Sequence, residues 1–394
     1  MPLSSVELEQ YKKLLKALKN RLYDLAGDNV IVKGIEIPKE VERIVEEIFS
    51  YLPRNAYIFE SILAIGGESV IFLVKDFKSG KLRYCLKLAF AEFNYDHTNT
   101  SRFWVFRTPS YAKERFIRGV KTQIEASSLF EQNLMFCIVP KVIEYSVSPP
   151  IYAVMQYIEG ELYEDFVMNS SLRDALVMFY KILWGFKILH SEFIVHRDVK
   201  PNNFLVLPNR QVAFLDFNLA KPLSEDKENL TVSGDIFGSL LYSPPELLTG
   251  HGDEADWRTD IYSLGWLLYF TLTRTPPPKI MLRKNIHQHA RKLLDPFKKV
   301  FLKSTAYDIK DREYSVVDDF IQDFEKAFQE YFKTKLDYPM LKKPSRSPTL
   351  SLPKEGGPDF LLQVRSAIKW FLSEVSGESG SKTVVIREDE DDNS

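Results

Sequence analysis

The sequence predicts an α+β fold: a small strand-rich part, then a larger and mostly helical part, with helical extensions at both ends. Three observations predict it. Apolar residues recur at helical spacing between residues 4 and 26. From about Tyr57 the pattern turns to short strand-like runs. After Gly160 the chain reads as helix to about Lys333. The implied organisation is a helical N-terminal extension over residues 1–56, a strand-rich part over 57–157 and a helical part over 158–335. A linker, a short helix and an acidic tail fill 336–394.

Composition narrows the class. In 394 residues, 45% are hydrophobic and 27% charged, and the net charge is −2. Such a balance is ordinary for a soluble globular protein and gives no global pull toward nucleic acid or an anionic membrane. Two cysteines, Cys85 and Cys137, are too sparse for a disulfide framework and read as reduced cytoplasmic thiols. The stretch "MPLSSVELEQYKKLLKALKN" lacks the apolar run of a signal peptide, and "IYSLGWLLYFTLT" is too short to span a bilayer. The expectation is a cytoplasmic protein.

The elements follow in order. Val6, Leu14, Leu15, Leu18, Leu22 and Leu25 form a helical stripe that Gly27 stops, and "PKEVERIVEEIFSYL" begins a second helix with Pro38 near its first turn. The plain reading of the pair is a docked extension that completes a core; the other is a partner-binding element. "AYIFESILAIGGESVIFLVKD" and "KLRYCLKLAF" read as strands around the turn Lys78–Ser79–Gly80, residues 113–131 as helix, and "PKVIEYS" and "IYAVMQYI" as strands again. "KKPSRSPTLSLPKEGGP" is linker, an amphipathic helix lies near 359–375, and "REDEDDNS" is an acidic tail.

The chemistry concentrates in "FIVHRDVKPNNFLVL", residues 193–207, and in "VAFLDFNLA", whose Asp216 lies eighteen residues after Asp198. The intervening residues read as a strand pair, which brings Asp198, Asn203 and Asp216 to one end of a hairpin. Asn203 and Asp216 supply the oxygen ligands Mg²⁺ prefers. Asp198 can accept a proton from a hydroxyl, and Lys200 can neutralise a phosphoryl group in transfer.

On these residues the chain resembles the eukaryotic-type (Hanks-type) serine/threonine protein kinases over roughly residues 57–333. "HRDVKPNN" resembles the catalytic loop and "DFN" the metal-binding DFG motif. The resemblance implies a bilobal protein kinase fold and ATP- and Mg²⁺-dependent transfer to Ser/Thr hydroxyls of protein substrates. In it Asp198 is the base, Lys200 the charge stabiliser, and Asn203 and Asp216 the metal ligands. Lys87, in "YCLKLA", takes the place of the phosphate-orienting lysine. Its helix partner is expected to be Glu125, with Glu114 and Glu131 as rivals, and Leu129 should face inward one turn on. Ile65, Gly66, Gly67, Ile71, Cys85, Met155, Gln156, Ile158 and Leu205 are expected around ATP, with Met155 as gatekeeper. His196 and Phe217 are expected to stack with Leu129. Glu246, Asp260 and Arg312 are expected to hold the loops, Glu246 pairing with Arg312, and Ser239 takes the place of the Thr that contacts the catalytic Asp and Lys. Arg197 is expected to meet a phosphate at Thr231 or Ser233; otherwise nearby acids supply the anion.

The pattern departs from the family at three places. Ala64 and Ser69 replace two glycines of the phosphate loop, leaving Gly66 and Gly67 and implying a stiffer turn. Asn218 replaces the DFG glycine, a mild change if the position needs a positive φ, which Asn tolerates. An aromatic-rich insert covers about 91–111, read as decoration or, less plainly, as a docking site for a regulatory partner. Two other classes compete with the protein kinase: a pseudokinase scaffold, which the loop departures favour and the five intact polar residues oppose, and a small-molecule kinase, which "SPPE", Asp260 and Arg312 oppose.

Overall fold

The computed structural model describes residues 3–26, 37–52, 56–66, 68–90, 109–134, 136–222, 241–248, 255–279, 283 and 285–336. Residues up to Met340 belong to one compact unit.

Helix α1, Ser5–Ala26, starts where Ser4 and Glu7 cap each other. The Glu7 N–H donates to Ser4 Oγ (3.3 Å) and the Ser4 N–H to Glu7 Oε2 (2.8 Å), so two otherwise orphaned donors are satisfied. Its apolar stripe, Tyr11, Leu15, Leu18 and Leu22, is buried, as are Val41, Val45 and Ile48 of α2, Lys39–Phe49.

These helices cover one face of a five-stranded sheet. Strands β1 (Tyr57–Ile65), β2 (Ser69–Asp76), β3 (Arg83–Ala89), β5 (Val142–Ser146) and β6 (Tyr152–Gln156) run in the order β1-β2-β3-β6-β5, each pair antiparallel. Period-two alternation decides what each face buries. Val70, Phe72, Val74, Leu86, Leu88, Tyr152 and Val154 share a core with α1 and α2. Ala89, Ala153 and Met155 point the other way and pack with Ala112, Phe116 and Val120 of α3, Pro109–Asn133. The two N-terminal helices are thus part of the sheet's own core, the plainer of the two expectations for them.

The helical part is built on α5 (Leu172–Ser191), α7 (Trp257–Thr273), α9 (Asp295–Ser304) and α10 (Val317–Phe332), with α4 (Tyr163–Asn169), α6 (Pro245–Leu248) and α8 (Ile286–Ala290) as short pieces. Its core runs from Phe130 of α3 through Phe186 and Trp266 to Phe297 and Phe324. Ser171 caps α5 by accepting the Asp174 N–H (3.1 Å), and Asp256 caps α7 by accepting the Arg258 N–H (2.8 Å). A small sheet orders β4 (Cys137–Ile138), β10 (Val212–Phe214), β9 (Phe204–Val206) and β7 (Glu161–Leu162), while β8 (Ile194–Val195) pairs with β11 (Lys221–Pro222). Among the described residues no helix is long and apolar enough to cross a membrane.

Candidate active site

The loop from β8 to β9 is anchored from below. Asp260, on the first turn of α7 and fully buried, accepts the His196 N–H at Oδ2 and the Arg197 N–H at Oδ1, both at 2.8 Å. His190 Nε2 lies 3.0 Å from the same Oδ2. Arg197 holds φ at 65°, a left-handed conformation that a non-glycine residue keeps only when its surroundings enforce it, and these bonds do so. The turn presents Asp198. Lys200 Nζ sits 2.8 Å from Asp198 Oδ2, and Asn203 Nδ2 donates to that oxygen (2.9 Å) and to the Asp198 carbonyl (2.6 Å). Burial and the Asp216 charge push the Asp198 carboxyl up, but the Lys200 charge and the hydrogen bonds that Lys200 and Asn203 give the carboxylate outweigh them, and the group lies below the usual carboxylate range. It is therefore ionised at neutral pH and can accept a hydrogen bond or proton.

The β9–β10 hairpin brings the second acid alongside. Phe204 pairs with Phe214, and the Leu215 N–H donates to the Asn203 carbonyl at 2.8 Å, so Asp216 follows directly beside Asn203. Lys87 of β3 reaches Asp216 Oδ1 at 3.0 Å. Burial raises the Asp216 carboxyl, yet Lys87 and Lys200 together hold it well below its ordinary value. The left-handed residue of this motif is Asp216 itself (φ 54°), not Asn218. The replaced glycine thus does not need a positive φ here, and the backbone N–H at position 218 still donates to Asp216 Oδ1 at 3.1 Å.

The expected Glu125 partner of Lys87 is not there. Glu125 lies on the exposed side of α3. Partial desolvation raises its carboxyl, and burial, then the nearby Glu125 charge, raise that of Glu192. Of the rivals, Glu114 is exposed and Glu131 pairs with Lys141 at 2.6 Å. The helix instead turns Arg115, Gly119 and Gln123 inward, one position per turn. Gln123 Nε2 donates to the Pro140 carbonyl at 2.8 Å and contacts Met155 Sδ at 3.6 Å. Gly119 lies so close to the DFN backbone that a Cβ there would stand 2.8 Å from Asn218 Cα. Leu129 is half-buried at the edge of the helical core.

A cavity of about 260 Å³ opens above these groups. Its walls include Ile65, Gly66, Ile71, Cys85, Met155, Gln156, Ile158 and Leu205, and its polar end holds Lys87, Lys200, Asn203 and Asp216. Gln123, Leu162 and Leu215 also line it, three positions that sequence reasoning missed. Leu162 and Leu215 gave no signal beyond an apolar residue in a short strand context. The phosphate-loop turn is closed by the Gly66 N–H donating to the Ser69 carbonyl at 2.8 Å. Burial pushes the Cys85 thiol up to about 12, so it is a neutral wall group. His196 and Phe217 rings lie 5.0 Å apart. Farther off, Arg312 grips Glu246 bidentately (Nη1–Oε1 2.8 Å, Nη2–Oε2 2.7 Å) in a buried site. Gly67, Thr231, Ser233, Ser239 and the 91–108 part of the insert lie outside the described residues, as do the linker, the 359–375 helix and the tail.

The protein kinase domain family matches residues 121–340, more than half of the chain. The serine/threonine-protein kinase PknB of Mycolicibacterium smegmatis is 28% identical over 226 residues, 57% of this chain and 33% of that protein. PknB of Mycobacterium tuberculosis (strain H37Rv) is 27% identical over the same shares. A probable serine/threonine-protein kinase, SCO3848 of Streptomyces coelicolor, is 34% identical over 135 residues, 34% of this chain and 20% of that protein. The chain thus spans about a third of the length of the PknB relatives it matches. With a match across the helical part and the β9–β10 hairpin inside it, the chain belongs to the protein kinase domain family.

Proposed function

We propose that the chain is a two-lobed serine/threonine protein kinase that uses ATP and Mg²⁺, with the sheet-rich residues 57–157 and the helical residues 158–335 as its lobes. The observation that carries the reading is the polar end of the cavity, where Lys87, Lys200, Asn203 and Asp216 converge, with Asp198 bonded to two of them, Lys200 and Asn203. Phosphoryl transfer asks a protein for positioning and charge stabilisation rather than covalent chemistry, and this set supplies both.

The residues fit a divalent ion. Asn203 spends its amide N–H groups on Asp198, which leaves its side-chain oxygen as a ligand, and Asp216 is an ionised carboxylate beside it. Among the described residues no three His, Cys, Asp or Glu side chains cluster as a metal cage. That suits Mg²⁺, which takes one or two protein oxygens and completes its shell with phosphate and water. When bound, the ion would neutralise charge on the phosphates. Lys87 and Lys200 place two further cations at the same end, and Asp198 orients the incoming hydroxyl.

The proposed setting is cytoplasmic, with Ser/Thr protein substrates and without nucleic acid or membrane as partners. A phosphate at Thr231 or Ser233 against Arg197, and a regulatory partner at the N-terminal helices or the insert, belong to the same proposal. One observation favours the scaffold reading: among the described residues no carboxylate of α3 faces Lys87. Incubation with labelled ATP, Mg²⁺ and generic protein substrates separates the two. The kinase reading expects transfer that Asp198→Ala cuts by about 10²–10⁴-fold while nucleotide binding persists. Transfer unchanged in Asp198→Ala, or none from the native chain, refutes it.

A further inference from the structure

Helix α3 reaches the cleft through three residues at successive turns, and the one nearest the phosphate-loop turn is a cation. Arg115 Nη2 lies 2.7 Å from Glu68 Oε2, with the two side chains only 8% and 15% exposed. Glu68 is not a loose loop acid. Its carbonyl accepts the Phe90 N–H at 2.7 Å, just past the end of β3, and it lies between Gly66 and Ser69, whose backbones bond to each other. The same β3 carries Lys87, two residues before Ala89, which pairs with Ser69.

We infer that Arg115 and Glu68 are positioning residues for the nucleotide phosphates: the charge bridge between helix and sheet runs from a helix cation to an anion in the phosphate-loop turn. This rests on the proposed kinase function. It explains why α3 can present Gly119 to the DFN backbone and leave Lys87 to Asp216. The helix is fixed to the sheet one turn earlier, by a pair that is shielded from water and therefore weakly screened. The turn is thereby held at a set height over Lys87 although Ala64 and Ser69 have replaced two of its glycines. In this arrangement a shift of α3 would move the phosphate loop directly rather than by way of the lysine.

The test uses the full chain with Arg115→Met, Glu68→Gln and the exchanged pair Arg115→Glu/Glu68→Arg. Each single variant should raise KM for ATP about tenfold or more, with kcat at saturating ATP altered far less, as for loss of a charge-assisted contact that binds ground and transition states alike. The exchanged pair should recover most of that loss. Hydrogen exchange in the nucleotide-free protein should quicken at the Gly66 and Phe90 amides in both single variants while α7 amides keep their native rates. Native KM and native exchange in both singles would overturn the inference, as would an exchanged pair no better than the sum of the singles. If the native chain transfers no phosphate, the kinase reading falls and the exchange measurement still decides the bridge. If Arg115→Met does not fold, Glu68→Gln, which keeps the size of the side chain, carries the test.

Discussion

Removing the Arg312 side chain should cost more than any other single change far from the cavity. Arg312 is fully buried at its tip, and Glu246 is 5% exposed. Besides its two bonds to Glu246, the guanidinium donates to the carbonyls of Arg258 (3.0 Å) and Ala306 (3.2 Å) and lies 4.6 Å from the Tyr262 ring centroid. In Arg312→Ala the Glu246 carboxylate would keep the Thr259 hydroxyl, 3.0 Å from Oε1, as its side-chain donor. A buried charge left in that state costs about 3–5 kcal/mol. For a domain of this size each kcal/mol lowers the midpoint by about 2 °C, so the drop should be about 6–10 °C. Scanning calorimetry reads it directly. The double variant Arg312→Met/Glu246→Leu should recover much of the loss, because a packed apolar pair removes the stranded charge. An unchanged midpoint in Arg312→Ala would refute the reasoning.

Gly119→Ala should disturb the DFN segment, since the new Cβ would meet a backbone atom, Asn218 Cα, at 2.8 Å; calorimetric titration with Mg²⁺-ADP should show binding weakened by about tenfold, against a steric cost of about 1–3 kcal/mol. Glu125→Gln should leave both transfer and KM for ATP at native values, because that side chain lies on the exposed side of α3; a fall in kcat/KM would return it to the site. Asp198 and Asp216 have depressed folded-state pKa values, so they stabilise the fold above the ordinary aspartate value and lose that contribution as pH falls through the folded values. Stability from these groups should therefore be flat between pH 6 and 8 and decline only in acid, and Asp216→Asn should reduce the acid slope in a thermal-melt series.

The hairpin that joins Asp198, Asn203 and Asp216 was legible because its geometry is written in local spacing. Asp198, Asn203 and Asp216 meet through a short strand pair whose length the sequence sets, and neither side of that pair depends on distant packing. The Glu246–Arg312 pair was legible only through resemblance, since 66 residues separate its members. The face of α3 was not legible. A helix turns about 100° per residue, so Gln123 and Glu125 point some 200° apart, and a reading two residues out of phase sends the inward position to solvent. The helix also begins at Pro109, before the expected start, and its phase is set by Phe116, Val120 and Phe130 fitting two separate cores. Gly119 carried a signal that went unread: a glycine in mid-helix costs stability and usually marks a close approach. Arg115 offered none, because its partner lies in a turn across the long insert.

The shared core of α1, α2 and the sheet determines where this protein can be cut. A fragment begun at Tyr57, the first strand, would keep every residue of the cavity and yet expose Phe72, Val74, Leu86 and Val154 on one continuous flat surface. Such a surface invites sheet-to-sheet association between copies. The smallest piece that folds alone should begin at the Ser4 cap, and a shorter one should be recovered as aggregate even though it keeps the whole cavity lining.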